Sequence, residues 1–432
     1  MPPIIPPQLP PAPKRGGLNP LLVTALSVLA LLFVGGALLV AVVGARLFAR
    51  AGAANARVAR TAQAGLFGAS AVPSEPGISY TNEKVPSEPW SIHVLKIDRS
   101  RKDLMFFSAH ANDRVLGVSY IADQARAVPR EFGRAIAGVN GDFYLRDDPV
   151  YAGDPRGLQI MNGELISAPS TVCVWFDANQ NPHLDEVKGD FNVTWPDGRK
   201  TKFGLNQRRD PGTAVLYTPT YGTSTRMPGG RDLILEKDGD GSWLPLQASE
   251  NYRARIRQIA TNGNTRLTAG AMVLSLSPQL LASVPEVEVG GVLQISTTTT
   301  PELKGVKAAV GGGPALVQNG KAAFTAKVAP PEIARVWSER SKYERHPRCA
   351  MGWNATHIYL VIIDGRQPGL SMGMKLAELA EYFQKLGCTE AINFDGGKSA
   401  QMWMDGRIMN SPCQGEDTVA NSLLVVRKPG GS

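Results

Sequence analysis

Three aspartates share one local context: an apolar stretch that reads as a strand, then the acid, then glycine or an aromatic. They are Asp142 in Val-Asn-Gly-Asp-Phe-Tyr, Asp364 in Ile-Ile-Asp-Gly-Arg-Gln and Asp395 in Asn-Phe-Asp-Gly-Gly-Lys-Ser. Carboxylates at strand ends can serve as nucleophile, base or ligand for hydroxyl groups. The glycines let a substrate approach the backbone and leave unhindered N–H donors. A single Asp-Gly is usually a turn; three with a nearby basic cluster suggest a site. That cluster is Arg345-His346-Pro347-Arg348, joined by Arg366 two residues after Asp364. Arginine forks suit phosphate or carboxylate, although a solvated loop would carry the same residues. Other familiar chemistries are excluded. Gly397-Lys398-Ser399 lacks the earlier glycine of a phosphate-binding loop, since position 392 is Ile. Ser399 lacks the Gly-x-Ser-x-Gly elbow, and no His-Glu-x-x-His is present.

The elements that must position these residues can be read from periodicity. Trp90–Ile97 alternates as a strand, Ile121–Ala127 suits a helix, and Ala135–Val139 is an apolar strand leading into Asp142. Ile358–Ile363 and Ala391–Phe394 read as buried strands ending at Asp364 and Asp395. Leu376, Leu379, Ala380, Phe383 and Leu386 have helical spacing. Ser422–Val426 closes the chain as a strand. Residues 171–300 are dense in turn formers between short strand-like runs, among them Leu233–Glu236 and Val287–Thr297. The expected fold is α+β: a single large domain, 80–432, with a mixed central sheet and a strand-rich middle region. No internal repeat is evident.

The net charge of +8 is concentrated at the N-terminus. Lys14, Arg15, Arg46, Arg50, Arg57 and Arg60 lie there without an acid, so the rest of the chain is nearly neutral. This removes the electrostatic reason to expect nucleic-acid binding. Residues 1–20 are a Pro-rich tail. Leu21–Val43 is uncharged and long enough to span a bilayer core of about 30 Å. Residues 44–79 read as a linker. The sequence alone thus predicts a single-pass anchor in the cytoplasmic membrane, with residues 21–43 as the membrane partner. Four cysteines stand outside Cys-x-x-Cys pairs and zinc spacings, leaving disulfides and buried thiols both open.

The ordered motifs resemble the phosphodiester glycosidase family. They are His346-Pro347-Arg348-Cys349, Asp364-Gly365-Arg366, Ser371-Met372-Gly373-Met374, Glu378-Leu379-Ala380, Asn393-Phe394-Asp395-Gly396-Gly397-Lys398-Ser399 and Val419-Ala420-Asn421. Asn140–Tyr144 and Gly311–Pro314 resemble its earlier blocks, so the resemblance runs over roughly 80–430. Three departures stand out. Lys398 takes the place of a third glycine, Cys349 that of a threonine, and Glu416-Asp417-Thr418 lacks an expected arginine.

The resemblance implies hydrolysis of a sugar 1-phosphodiester at the anomeric carbon, in envelope or exopolysaccharide metabolism, by a domain outside the membrane. Phosphate is a good leaving group, so cations matter more than a strong acid. His346, Arg348 and Arg366 are the candidates to hold it. Asp395 and Asp142 are candidates for nucleophile or base, and Asp364 for an orienting role. Asn140, Asn393 and Asn410, with Gly396, Gly397 and Ser399, are candidate substrate contacts; each Asn is equally well a turn former. No cofactor is required, and a divalent metal is allowed but not indicated. Two alternatives remain: a non-catalytic carbohydrate-binding or scaffolding module, and a glycosidase on glycans without phosphate.

Overall fold

A computed structural model of the chain describes residues 75–330 and 337–430. Apolar strands dominate it and fall into four sheets. The first has seven strands in the order β1 (Ile78–Val85), β2 (Trp90–Asp98), β20 (His357–Ile363), β19 (Arg348–Trp353), β21 (Glu390–Asn393), β17 (Ala315–Gln318) and β18 (Lys321–Ala322). The second runs β23 (Arg407–Ile408), β22 (Met402–Met404), β4 (Arg134–Asn140), β24 (Asn421–Arg427), β3 (Leu104–His110). The third runs β6 (Glu164–Ser167), β5 (Gln159–Met161), β16 (Ala308–Gly311), β7 (Val172–Phe176), β8 (Pro182–Glu186). The fourth closes into a seven-stranded barrel. Its order is β10 (Lys200–Leu205), β11 (Ala214–Tyr217), β14 (Met272–Leu276), β12 (Arg231–Lys237), β13 (Asn251–Ala260), β15 (Val292–Thr300), β9 (Lys188–Thr194).

Layering follows from which face of each strand is apolar. Leu95, Ile97, Leu360, Ile362 and Met351 of the seven-stranded sheet pack with Ile136, Val139, Phe106, Leu423 and Val425 of the second sheet. The seven-stranded sheet's other face, through Ile92, Val94, Val361 and Ile363, meets the helix α3 (Leu376–Lys385). That helix buries Leu376, Leu379, Ala380 and Phe383 on one side. Its start is fixed by Glu378, whose carboxylate accepts from the Lys375 N–H at 2.9 Å. The helix α1 (Ile121–Ala127) covers the outer face of the second sheet through Ile121 and Ala125. The result is a helix–sheet–sheet–helix sandwich. In the barrel, Tyr252, Ala254 and Ile256 point inward between exposed Arg253, Arg255 and Arg257. Burying each such Leu or Ile contributes about 1.5–3 kcal/mol, so the barrel interior is a packed core.

Two expectations are corrected. The fold is not α+β with a mixed central sheet. All pairings of the seven-stranded sheet are antiparallel. One parallel pair, β10 with β11, occurs in the barrel. Among the described residues the α-helices are α1, α2 (Trp337–Arg340) and α3. The membrane anchor is also corrected: the run 21–43 lies outside the described residues, and among those described no helix is long and apolar enough to cross a membrane. The placement in the cytoplasmic membrane with an outward domain is therefore withdrawn. The four cysteines are free thiols, with Cys173, Cys349 and Cys388 buried.

Candidate active site

A cleft of about 440 Å³ opens where β4, β20 and β21 end and β19 begins. It is lined by Phe143, Tyr144 and Arg146 from the segment after β4, and by His346 and Arg348 at the start of β19. Arg366 follows β20, and Asp395 to Ser399 follow β21. Ser338 and Ser341 complete the lining. Asp395 is its one carboxylate among the described residues, beside Arg146, Arg348, Arg366 and Lys398.

Asp395 is half-buried. Its Oδ1 accepts from the Gly396 N–H at 2.9 Å, and the Ser399 hydroxyl also bonds its carboxylate. Burial pushes its pKa up to about 6, against the opposing pull of Ser399, Gly396, Arg146 and Arg366. The acid is held from behind: its backbone N–H donates to Gly141 O at 3.0 Å, and Asn140 Nδ2 donates to its carbonyl at 2.7 Å.

The glycines after Asp395 have defined reasons. A Cβ at Gly396 would lie 2.6 Å from Pro347 O. Gly397 has φ +63, and a Cβ there would stand 3.3 Å from the Arg366 guanidinium. The turn therefore lets Arg366 lie against the backbone beside Asp395. Arg366 itself has φ +57, a strained conformation for a non-glycine residue. Its Nε and Nη2 lie 3.4 and 3.3 Å from His346 Nδ1, and among the described residues no carboxylate pairs with it. His346 Nε2 faces Glu344 at 3.2 Å. Burial, Arg348 and Arg366 push the His346 pKa down to about 4. His346 is thus neutral at pH 7, with Nδ1 accepting and Nε2–H donating. Arg348 is buried and donates to three backbone carbonyls, Met374 through Nε and Ser341 and Glu344 through Nη2. Arg345, the first residue of the basic cluster, instead turns to Glu88 and Glu378.

The other predicted residues lie outside the lining. Asp142 is buried and accepts from Gly157 N at 2.7 Å, Phe143 N at 2.8 Å and Gln159 Nε2 at 3.2 Å. Burial raises its pKa to about 7 against these bonds. Asp364 is buried and accepts from Ser91 Oγ, Asn410 Nδ2 and the Ser411 N–H at 2.9, 3.1 and 2.9 Å. His93 Nε2 lies 2.8 Å from it. Burial opposes its charge, but the His93, Asn410 and Ser411 bonds hold its pKa below the usual range. Asp364 thereby anchors the turn that delivers Arg366. Asn140 bridges Asp395 O and the Gln401 N–H. Asn393 donates to Gly313 O, and Asn410 ties Asp364 to Ala400 O. These asparagines brace loops. Cys349, at the threonine departure, is buried and donates to Asn140 O at 3.3 Å.

Sequence reasoning missed Arg146. Its Nη2 donates to Asp417 at 2.5 Å and its Nη1 to Ser399 Oγ at 3.2 Å. It brings a guanidinium to the Glu416-Asp417-Thr418 stretch where an arginine was expected. Its only signal is its place just after the Asn140–Tyr144 block. Among the described residues, no three His, Cys, Asp or Glu side chains gather as a metal site needs.

Comparisons with known proteins bear on the fold and the family. The fold is similar to a hypothetical protein from Synechocystis (TM-score 0.64, 18% identity), covering 83% of this chain and 64% of that one. The chain thus spans a little under two thirds of that relative. A candidate exported protein of Burkholderia pseudomallei aligns with TM-score 0.57 and 23% identity, over 78% of this chain and 74% of that one. At these identities the likeness is one of fold. The zebrafish N-acetylglucosamine-1-phosphodiester alpha-N-acetylglucosaminidase catalytic domain, auto-inhibited by its pro-peptide, aligns over 81% of each chain, with TM-score 0.40 and 11% identity. No curated protein sequence matches. Residues 248–426 match the phosphodiester glycosidase family. The match includes the His346, Asp364 and Asp395 motifs and leaves out the Asn140 block, which the fold brings to the same cleft. The resemblance that the motifs suggest is thus borne out over residues 248–426, which match a family of glycosidase-type hydrolases.

Proposed function

We propose that this protein hydrolyses a sugar 1-phosphodiester at the anomeric carbon. The observation that carries this reading is one carboxylate among four cations in a single cleft. The cations suit the phosphate. Arg366 and Lys398 reach the cleft with exposed side chains, and Arg348 is fixed by backbone carbonyls beside them. They hold the charge that develops as the C–O bond breaks and its electron pair leaves with the phosphate. A phosphate leaving group needs no strong acid, so a second carboxylate in the cleft is unnecessary. Asp395 takes the proton of the attacking water as its oxygen bonds to the anomeric carbon. A pKa near 6 makes it an anion at neutral pH and basic enough for this task. Asp142 and Asp364 support the scaffold in this reading.

The test is hydrolysis of a phosphodiester of N-acetylglucosamine-1-phosphate by the full-length protein, beside Asp395→Asn. Sugar release by the wild type alone supports the assignment. Release of the inverted anomer supports Asp395 as base, and a retained anomer would make it the nucleophile. Equal release by Asp395→Asn removes Asp395 from the reaction. Cleavage of aryl glycosides but not phosphodiesters favours a glycosidase on unphosphorylated glycans, and tight binding without release favours a carbohydrate-binding module.

A further inference from the structure

The cleft contains a chain of contacts that the hydrolysis reading leaves unused. Asp417 is fixed from three sides: its N–H and C=O bond the Gln401 side chain at 3.1 and 2.8 Å, and its Oδ1 accepts from the Thr418 N–H at 2.8 Å. Its Oδ2 receives Arg146 Nη2 at 2.5 Å. Lys398 Nζ stands 3.8 Å from the same oxygen. Arg146 Nη1 donates to Ser399 Oγ. Ser399 is buried, and its side chain bonds Asp395. A hydroxyl has one hydrogen. With an arginine donating to its oxygen, that hydrogen can point at the Asp395 carboxylate, for which the Tyr144 phenol is the competing, uncharged partner.

We infer that Arg146 is a positioning residue for Asp395, acting through Ser399 and itself held by Asp417. The arrangement does two things. It orders the Asp395 carboxylate by a charge-assisted relay, and it places a cation close enough to favour the ionised acid. The charged and titratable groups that also face Asp395 or share its cleft are Arg366 from the turn after β20, Asp142 and Tyr144 from the segment after β4, Cys349 and Arg348 from β19, His346 before it, and Lys398 after β21. Arg146 differs from Arg366 in having a fixed acid behind it, which suits a permanent brace better than a group that closes on substrate.

The inference rests on Asp395 being the reacting carboxylate, and its test has a readout independent of turnover. Full-length protein labelled with aspartate carrying ¹³C at Cγ is titrated by NMR, with Asp395 assigned by the signal lost in Asp395→Asn. Arg146→Gln should raise the Asp395 midpoint by about one pH unit, the low end of what loss of a neighbouring cation does. Ser399→Ala, which keeps the cation and breaks the relay, should raise it less, and Arg146→Lys should fall between wild type and Arg146→Gln. If Arg146→Gln does not fold, Ser399→Ala and Arg146→Lys decide. An unchanged midpoint in the folded variants overturns the inference. Where turnover is measurable, the acid limb of kcat/KM should move up with the NMR midpoint, whereas a merely structural arginine would lower the rate without moving the limb. If the wild type cleaves no phosphodiester, the functional reading fails while the titration still decides the role of Arg146.

Discussion

Asp395 can accept a proton only as an anion. Because burial lifts its pKa to about 6, kcat/KM should fall about tenfold per pH unit below that point and level off above it. A rate that stays flat from pH 5 to 7 would exclude Asp395 as the titrating base. His346 stays neutral across this window, since its pKa is pushed down to about 4. Gly397 is the second residue with a sharp expectation. Gly397→Ala must hold φ near +63 with a Cβ 3.3 Å from the Arg366 guanidinium. The backbone strain alone costs about 1–2 kcal/mol. Displacement of Arg366 should raise KM for a phosphodiester several-fold more than it lowers kcat. An unchanged KM would detach Arg366 from phosphate binding. Arg146 shows where residue-level reading stops: nothing in its local spacing marks it, and only the fold sets it against Asp417 and Ser399.

At the scale of elements, much was legible. The strand expected at Trp90–Ile97 is Trp90–Asp98, that at Ser422–Val426 is Asn421–Arg427, and the helix from Leu376 ends at Lys385. Alternation and helical spacing record which face is buried, and these elements have one clear buried face. The strand expected at Val287–Thr297 begins at Val292, since the preceding residues form a turn. Strand pairing was not legible. Ile358–Ile363 is apolar throughout, as in parallel sheets covered on both faces. Here both faces are covered because β20 lies between α3 and the second sheet. The apolar run reports burial and is silent on direction. The end of β20 has its own consequence. Asp364 gathers Ser91, His93, Asn410 and Ser411 where the strand turns toward Arg366. Asp364→Ala would take away the acceptor that these four groups share, costing about 2–4 kcal/mol. The melting temperature should drop, and phosphodiester affinity should fall with it. A normal affinity in the folded variant would show that Arg366 is placed by other contacts.

On the scale of the whole molecule, His110, buried in β3, makes one contribution to acid stability that opposes that of Asp142, Asp154 and Asp395, whose pKa values are raised by burial. Burial pushes its pKa from 6.5 down to about 4. The folded state therefore binds its proton less readily than the unfolded state, and the His110 contribution to stability is lost as pH falls through 6.5 toward 4. The loss is on the order of 3 kcal/mol at the low end. His110→Gln should remove this contribution, so that the variant gains stability relative to the wild type between pH 6.5 and 4, measured by urea unfolding. Parallel wild-type and variant curves would show that His110 is not a main sensor. The site itself is a whole-molecule property. Motifs named His346, Arg366 and Asp395, while Arg146 comes from a distant part of the chain and joins them only through the fold.

The route of the chain into the barrel bears on how the protein melts. The chain leaves the third sheet at Glu186 and re-enters it at Ala308, on either side of β7. Lys188 and Thr300, the first and last residues of the barrel, stand opposite each other in register. By connectivity the barrel is a cassette spliced into the third sheet through the two strands that flank β7. Its packing is different, because Ile160, Leu165 and Ala309 of the third sheet, with Leu158 just before β5, share one core with the barrel interior. Cutting the cassette out would strip that sheet of its cover. Barrel and sandwich should therefore lose their structure together, in one calorimetric peak whose van't Hoff and measured enthalpies agree; two resolved peaks would mean that the shared core does not couple them.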